Sequence, residues 1–79
     1  MRLSRTIFVG NLEKTTTYED LRRVFIKYGK ILDIDLKKIE GVIQYAFIQY
    51  SDMNNARSAL NKLQVTYLRF IITNYDNEL

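Results

Sequence analysis

The sequence predicts an α+β fold: a two-layer plait with two helices on one face of a four-stranded antiparallel sheet. Three observations predict it. Six periodic segments follow one another in the order strand, helix, strand, strand, helix, strand, that is βαββαβ. Each helical segment carries a single apolar stripe, so both stripes must be buried, and one sheet face can serve them together. With no cysteine and no histidine among the 79 residues, neither disulfides nor the usual zinc ligand sets are available, and hydrophobic burial must hold the fold.

Thr6 to Val9 is β-branched or aromatic and ends at Gly10-Asn11, a turn signal, which gives the first strand. Thr17 followed by Asp20 has the spacing of a capping box, with aspartate in place of the usual Glu or Gln. Leu21, Val24, Phe25 and Tyr28 then recur at i, i+3, i+4 and i+7, the face of a helix, with Gly29 placed to end it as the C′ residue. Arg22, Arg23 and Lys27 lie off that face and read as its solvated side.

Ile31 to Lys37 is a second strand, in which Ile34 and Leu36 alternate with Asp33, Asp35 and Lys37. Lys38-Ile39-Glu40-Gly41 forms a short hairpin connection to a third strand, Ile43 to Tyr50. Ser51 or Asp52 caps a second helix whose apolar face is Ala56, Ala59, Leu60 and Leu63. Arg69 to Tyr75 is the fourth strand, in a register that turns Phe70 and Ile72 inward and leaves Ile71 and Thr73 outward. Right-handed crossovers between such elements give the ferredoxin-like arrangement of the plait.

Composition bounds the rest. The length fits one domain, residues 1–79 with a core from about 5 to 76, with no linker inside it. Twelve Lys and Arg against nine Asp and Glu leave a net charge of +3, which permits a polyanionic partner without requiring one. There is no apolar run long enough to span a membrane and no signal-peptide pattern near Met1, so an intracellular protein with no membrane partner is expected. The ferredoxin-like fold also hosts small hydrolases. Here no nucleophile sits near an evident base and no glycine-rich phosphate loop exists, so we expect no catalytic residues, metal or cofactor. Asp33 and Asp35 share a face without an acid–base partner and read as a solvated strand edge, able to accept a hydrogen bond from a base amino group.

Strand alternation points to a function. If Ile7 and Val9 face the helices, Phe8 faces away; if Ala46, Ile48 and Tyr50 face inward, Tyr45, Phe47 and Gln49 face outward. Three rings on an open sheet need a reason. Unpaired nucleobases supply one, because a splayed base stacks on an aromatic ring and neighbouring polar groups read its edge. The plainer alternative is that the rings pack on one another or under the C-terminal tail.

The residues around those rings carry a family resemblance. Ile7-Phe8-Val9-Gly10-Asn11-Leu12 resembles the RNP2 hexamer of RNA recognition motifs, and Ile43 to Tyr50 (IQYAFIQY) resembles the RNP1 octamer. Tyr45, Ala46, Phe47 and Tyr50 match outright. Ile43 and Gln44 stand where a basic residue and glycine are usual, and Lys37, Lys38 and Arg5 are candidates to replace the lost phosphate contact. The stretch from Arg5 to Leu68, including RTIFVGNLEKTTTYEDL and DIDLKK, is similar to the third such motif of the split-ends (Spen) family. That resemblance implies one module of a large nuclear regulator that binds single-stranded or locally unpaired RNA. The implied RNA-binding residues are Phe8, Tyr45, Phe47, Gln49, Lys37, Arg5, Arg69 and Thr73. Neighbouring RNA recognition motifs or a protein partner are the other expected contacts. The competing reading is a protein-interaction module using the helical side, including Ile26, or the aromatic face.

Overall fold

The computed structural model describes residues 4–38, 44–66 and 71–75. Its elements run β1 (Thr6–Leu12), α1 (Tyr18–Phe25), a 3₁₀ turn (Ile26–Tyr28), β2 (Ile31–Lys37), β3 (Gln44–Tyr50), α2 (Met53–Thr66) and β4 (Ile71–Tyr75). The sheet order is β2-β3-β1-β4, and every neighbouring pair is antiparallel. The expected βαββαβ plait is therefore the one observed. The two strands bearing the rings lie side by side at its centre.

The core follows the expected alternation. Ile7, Val9, Ala46, Ile48 and Tyr50 are fully buried, together with Leu21, Phe25, Ala56, Ala59 and Leu63 from the helices. Val24, Tyr28 and Leu60, expected on the helical faces, are partly buried against this core. Ile72 is buried and Thr73 exposed, so the predicted register of the fourth strand holds where it is described. Arg69, Phe70, Ile43 and the hairpin connection at residues 39–41 lie outside the described residues.

Two expectations change. Gly10-Asn11 does not end β1. The strand continues to Leu12, which is buried, and one extra residue enters between the Val9–Ala46 and Leu12–Gln44 pairs. Asn11 absorbs that bulge with φ +60°, a conformation its short polar side chain tolerates better than most residues. The turn signal was thus a bulge signal. The α-helix also stops at Phe25, three residues short of the apolar pattern, and Ile26–Tyr28 tighten into a 3₁₀ turn.

Local chemistry fixes the helix ends. The Thr17 backbone N–H donates to Asp20 Oδ2 (2.9 Å), and the Asp20 N–H donates to Thr17 Oγ1 (3.2 Å), completing the capping box. The Thr17 backbone N–H, then its side chain, and more weakly the Arg23 guanidinium hold the Asp20 carboxyl below its usual range. Asp52, of the two candidates, caps α2: its Oδ1 accepts from the Asn54 N–H at 2.7 Å. At the other end of α1, the chain tightens from the Phe25 carbonyl into the 3₁₀ turn. The buried Tyr50 hydroxyl on β3 donates to that carbonyl at 2.7 Å, tying sheet to helix.

That bond gives a prediction. Tyr50→Phe removes this buried bond between sheet and helix and should lower stability by about 1–2 kcal/mol in denaturant unfolding. Burial first, and the Tyr28 hydroxyl second, push the Tyr50 phenol well above its ordinary 10.0. The folded state therefore holds the phenolic proton more tightly than the unfolded chain does. The associated stability is intact below about pH 10 and falls as the pH rises further, because only the unfolded chain then ionises. The alkaline decline should be shallower in Tyr50→Phe, and equal slopes in both proteins would refute this role for the phenol.

Candidate functional site

The helices cover one face of the sheet, and among the described residues nothing covers the other. Reading across the strands, three rows of residues share the bare face. The middle row is Asp35 on β2, Phe47 on β3, Phe8 on β1 and Thr73 on β4. On one side lies Asp33, Gln49, Thr6 and Tyr75; on the other, Lys37 faces Tyr45.

The three predicted rings come together. The Phe8, Tyr45 and Phe47 centroids form a triangle with sides of 5.8, 5.6 and 5.8 Å, and Tyr45 meets Phe47 edge-on at 90°. These are favourable aromatic geometries, so the rings do pack on one another, as the plainer reading had it. Yet each remains only half-buried. Mutual packing thus holds the rings upright without removing them from the surface. Residues 76–79, the tail weighed as a cover, are outside the described residues.

The polar candidates divide. Gln49 is half-buried between Thr6 and Asp33, and exposed Thr73 pairs with Phe8, so both border the rings. Lys37 stands opposite Tyr45 and is ion-paired with Asp35 at 3.1 Å, each side chain about half exposed. It brings a cation to the rings, partly offset by its neighbour. Arg5 is exposed just before β1, where its carbonyl accepts from the Tyr50 N–H (2.8 Å). This places it at the Thr6 end of the sheet rather than among the rings. Arg69 lies outside the described residues.

Two residues escaped the sequence reading. Gln44, at the position where the motif usually has glycine, is buried, and its amide donates to the carbonyls of Glu13 (2.6 Å) and Thr16 (3.3 Å). It pins the β1–α1 loop to the start of β3. Tyr75 on β4 brings a fourth ring, 4.7 Å from Phe47. Alternation from Thr73 pointed to the open face for Tyr75, but no motif drew attention to it.

The RNA recognition motif family model matches residues 7–69. This chain belongs to the RNA recognition motif family. Msx2-interacting protein of Homo sapiens is 54% identical over 67 residues, which cover 85% of this chain and 2% of that protein. Protein split ends of Drosophila melanogaster is 45% identical over 65 residues, 82% of this chain and 1% of that protein. The likeness to split-ends proteins read from the motif sequences therefore holds, and the chain spans about a fiftieth or less of those relatives. Among solved structures, the Rna15 RRM with bound RNA (GU) superposes with a TM-score of 0.74 at 20% identity, covering 95% of this chain and 85% of the other, which supports the shared fold.

The RNA recognition motif assignment also bears on chemistry. Among the described residues no cluster of three or more acidic side chains is placed to hold a metal ion, and no helix is long and apolar enough to cross a membrane. On its open face this RNA recognition motif presents a ring platform flanked by an amide, a hydroxyl, two carboxylates and one paired lysine.

Proposed function

We propose that this domain binds single-stranded or locally unpaired RNA by stacking bases on Phe8, Phe47 and Tyr45. The observation that carries the reading is the triangle of half-buried rings on the uncovered sheet face. A planar base gains dispersion and quadrupole contact with such rings whatever its identity. Gln49 and Thr73 read base edges beside them, and Lys37, Arg5 and Arg69 meet phosphates. Asp33 and Asp35 make the β2 side less welcoming to phosphate and suited to a base amino group.

The role is recognition rather than catalysis, in keeping with a family defined by RNA binding. The likeness to Msx2-interacting protein and split ends supports a wider assignment. On it, the chain is one folded domain of a larger nuclear regulator, with neighbouring RNA recognition motifs or protein partners adding to its affinity through effective concentration.

Amide NMR spectra recorded while short random-sequence RNA oligonucleotides are added at low salt test this directly. Shifts centred on Phe8, Tyr45, Phe47 and Gln49, weakening as salt releases the bound phosphates, are expected. No shifts at large oligonucleotide excess would remove stand-alone RNA binding and leave the aromatic face to a protein ligand.

A further inference from the structure

We propose that Tyr75 is a fourth ring of the platform and lengthens the bound RNA by one nucleotide towards β4. The proposal rests on the RNA-binding reading and deepens it.

The geometry is specific. β4 and β3 are not neighbours; β1 lies between them. Two strands separated by a third are roughly 9.5 Å apart. Yet the Tyr75 and Phe47 centroids are only 4.7 Å apart, inclined at 56°. Both rings must therefore lean towards each other over β1. They do so over Thr6, which pairs with Tyr75 on one side and Gln49 on the other, and whose small side chain leaves the space a larger residue would fill. Tyr75 is 38% exposed, so the contact does not bury it. A ring at the end of an edge strand would ordinarily be free to swing. Here the backbone that carries the ring is fastened. Asn74 Oδ1 accepts from the Ser4 N–H (2.9 Å), Asn74 Nδ2 donates to the Ser4 carbonyl (3.0 Å), and Ser4 Oγ donates to the Tyr75 carbonyl. Ser4 Oγ in turn accepts from the Thr6 N–H at 3.2 Å, so one serine joins the backbones that carry Tyr75 and Thr6. The end of β4 is thereby fastened to β1, and the Tyr75 ring continues the platform beyond Phe47 with Gln49 beside it.

The test measures affinity against length, using fluorescein-labelled oligouridylate and oligoadenylate of about two to eight nucleotides with the full chain. Wild type should gain affinity up to a limiting length. Tyr75→Ala and Tyr75→Leu should reach their limit one nucleotide sooner and bind about tenfold more weakly there, while Tyr75→Phe keeps the wild-type curve. Leucine preserves an apolar side chain at the strand end, so a loss shared by both variants reports the ring rather than the fold. If both variants follow the wild-type curve while Phe8→Ala binds weakly, the fourth ring is wrong and the platform stands. If Phe8→Ala also matches wild type, or wild type binds no oligonucleotide, both readings fall.

Discussion

Phe8→Ala combined with Phe47→Ala should lower affinity for single-stranded RNA by at least about 30-fold. Each base stacked on a ring is worth roughly 1–3 kcal/mol as judged by alanine substitution, and two such losses come to about 2–6 kcal/mol before any coupling between them. The pair sits at the centre of the face, in register across β1 and β3 with ring centroids 5.6 Å apart. The two changes are therefore coupled, and the double variant should not equal the sum of the singles. The changes also cost the fold something. Both rings are half-buried, and the double variant loses their contact with each other, with Tyr45 and, for Phe47, with Tyr75, each worth about 0.5–1.5 kcal/mol. Fluorescence anisotropy beside urea unfolding separates these effects. A double variant that unfolds like wild type within about 2 kcal/mol and still binds RNA as wild type does would remove the rings from the mechanism.

Gly29→Ala should be among the most destabilising single changes in the domain, at about 2–4 kcal/mol in denaturant unfolding. Gly29 receives the chain from the 3₁₀ turn, its N–H donating to the Ile26 carbonyl at 3.2 Å, and turns it towards β2 with φ +144° and ψ −176°. That region is open essentially to glycine alone. An added Cβ would also come within 2.2 Å of Asn55 Cγ on α2. Asn55 is short, so the new carbon displaces the root of its amide rather than a flexible tip. Strain and clash thus act together, at the junction of α1, α2 and β2. Because this junction lies on the helical side, RNA affinity of the folded fraction should be unchanged. A Gly29→Ala protein as stable as wild type would show that the turn relaxes into a conformation open to alanine.

The comparison of Gly29 with Gly10 shows how far a residue pattern reaches. Both were read as punctuation. At Gly29 the apolar helical period ends, no second pattern competes, and the break is real. Gly10-Asn11 has the same local signature, yet Leu12 beyond it is buried and paired with Gln44, and the strand runs on through a bulge. Burial of Leu12 is a long-range gain. It outweighs a local turn preference that is worth less than a buried leucine side chain. The end of the helix also meets a residue distant in sequence: Tyr50, twenty-five residues on in the chain, donates its hydroxyl to the carbonyl of Phe25, the last residue of α1.

By itself the sequence determined the order of the elements, the two helical stripes, and the outward parity of Phe8, Tyr45 and Phe47. These follow from periods of 3.6 and 2, which are properties of consecutive residues. It also carried the motif likeness that the family match bears out. Only the tertiary structure decided what depends on strands far apart in sequence. Sheet order brings the rings to within 5.8 Å of one another and leaves Arg5 at the end of the sheet. It turns Gln44 from a motif mismatch into a loop anchor, and brings Tyr75 across β1 to Phe47. Local periodicity tells a side chain which face to take; lateral pairing, which joins residues dozens of positions apart, tells it whom it meets there.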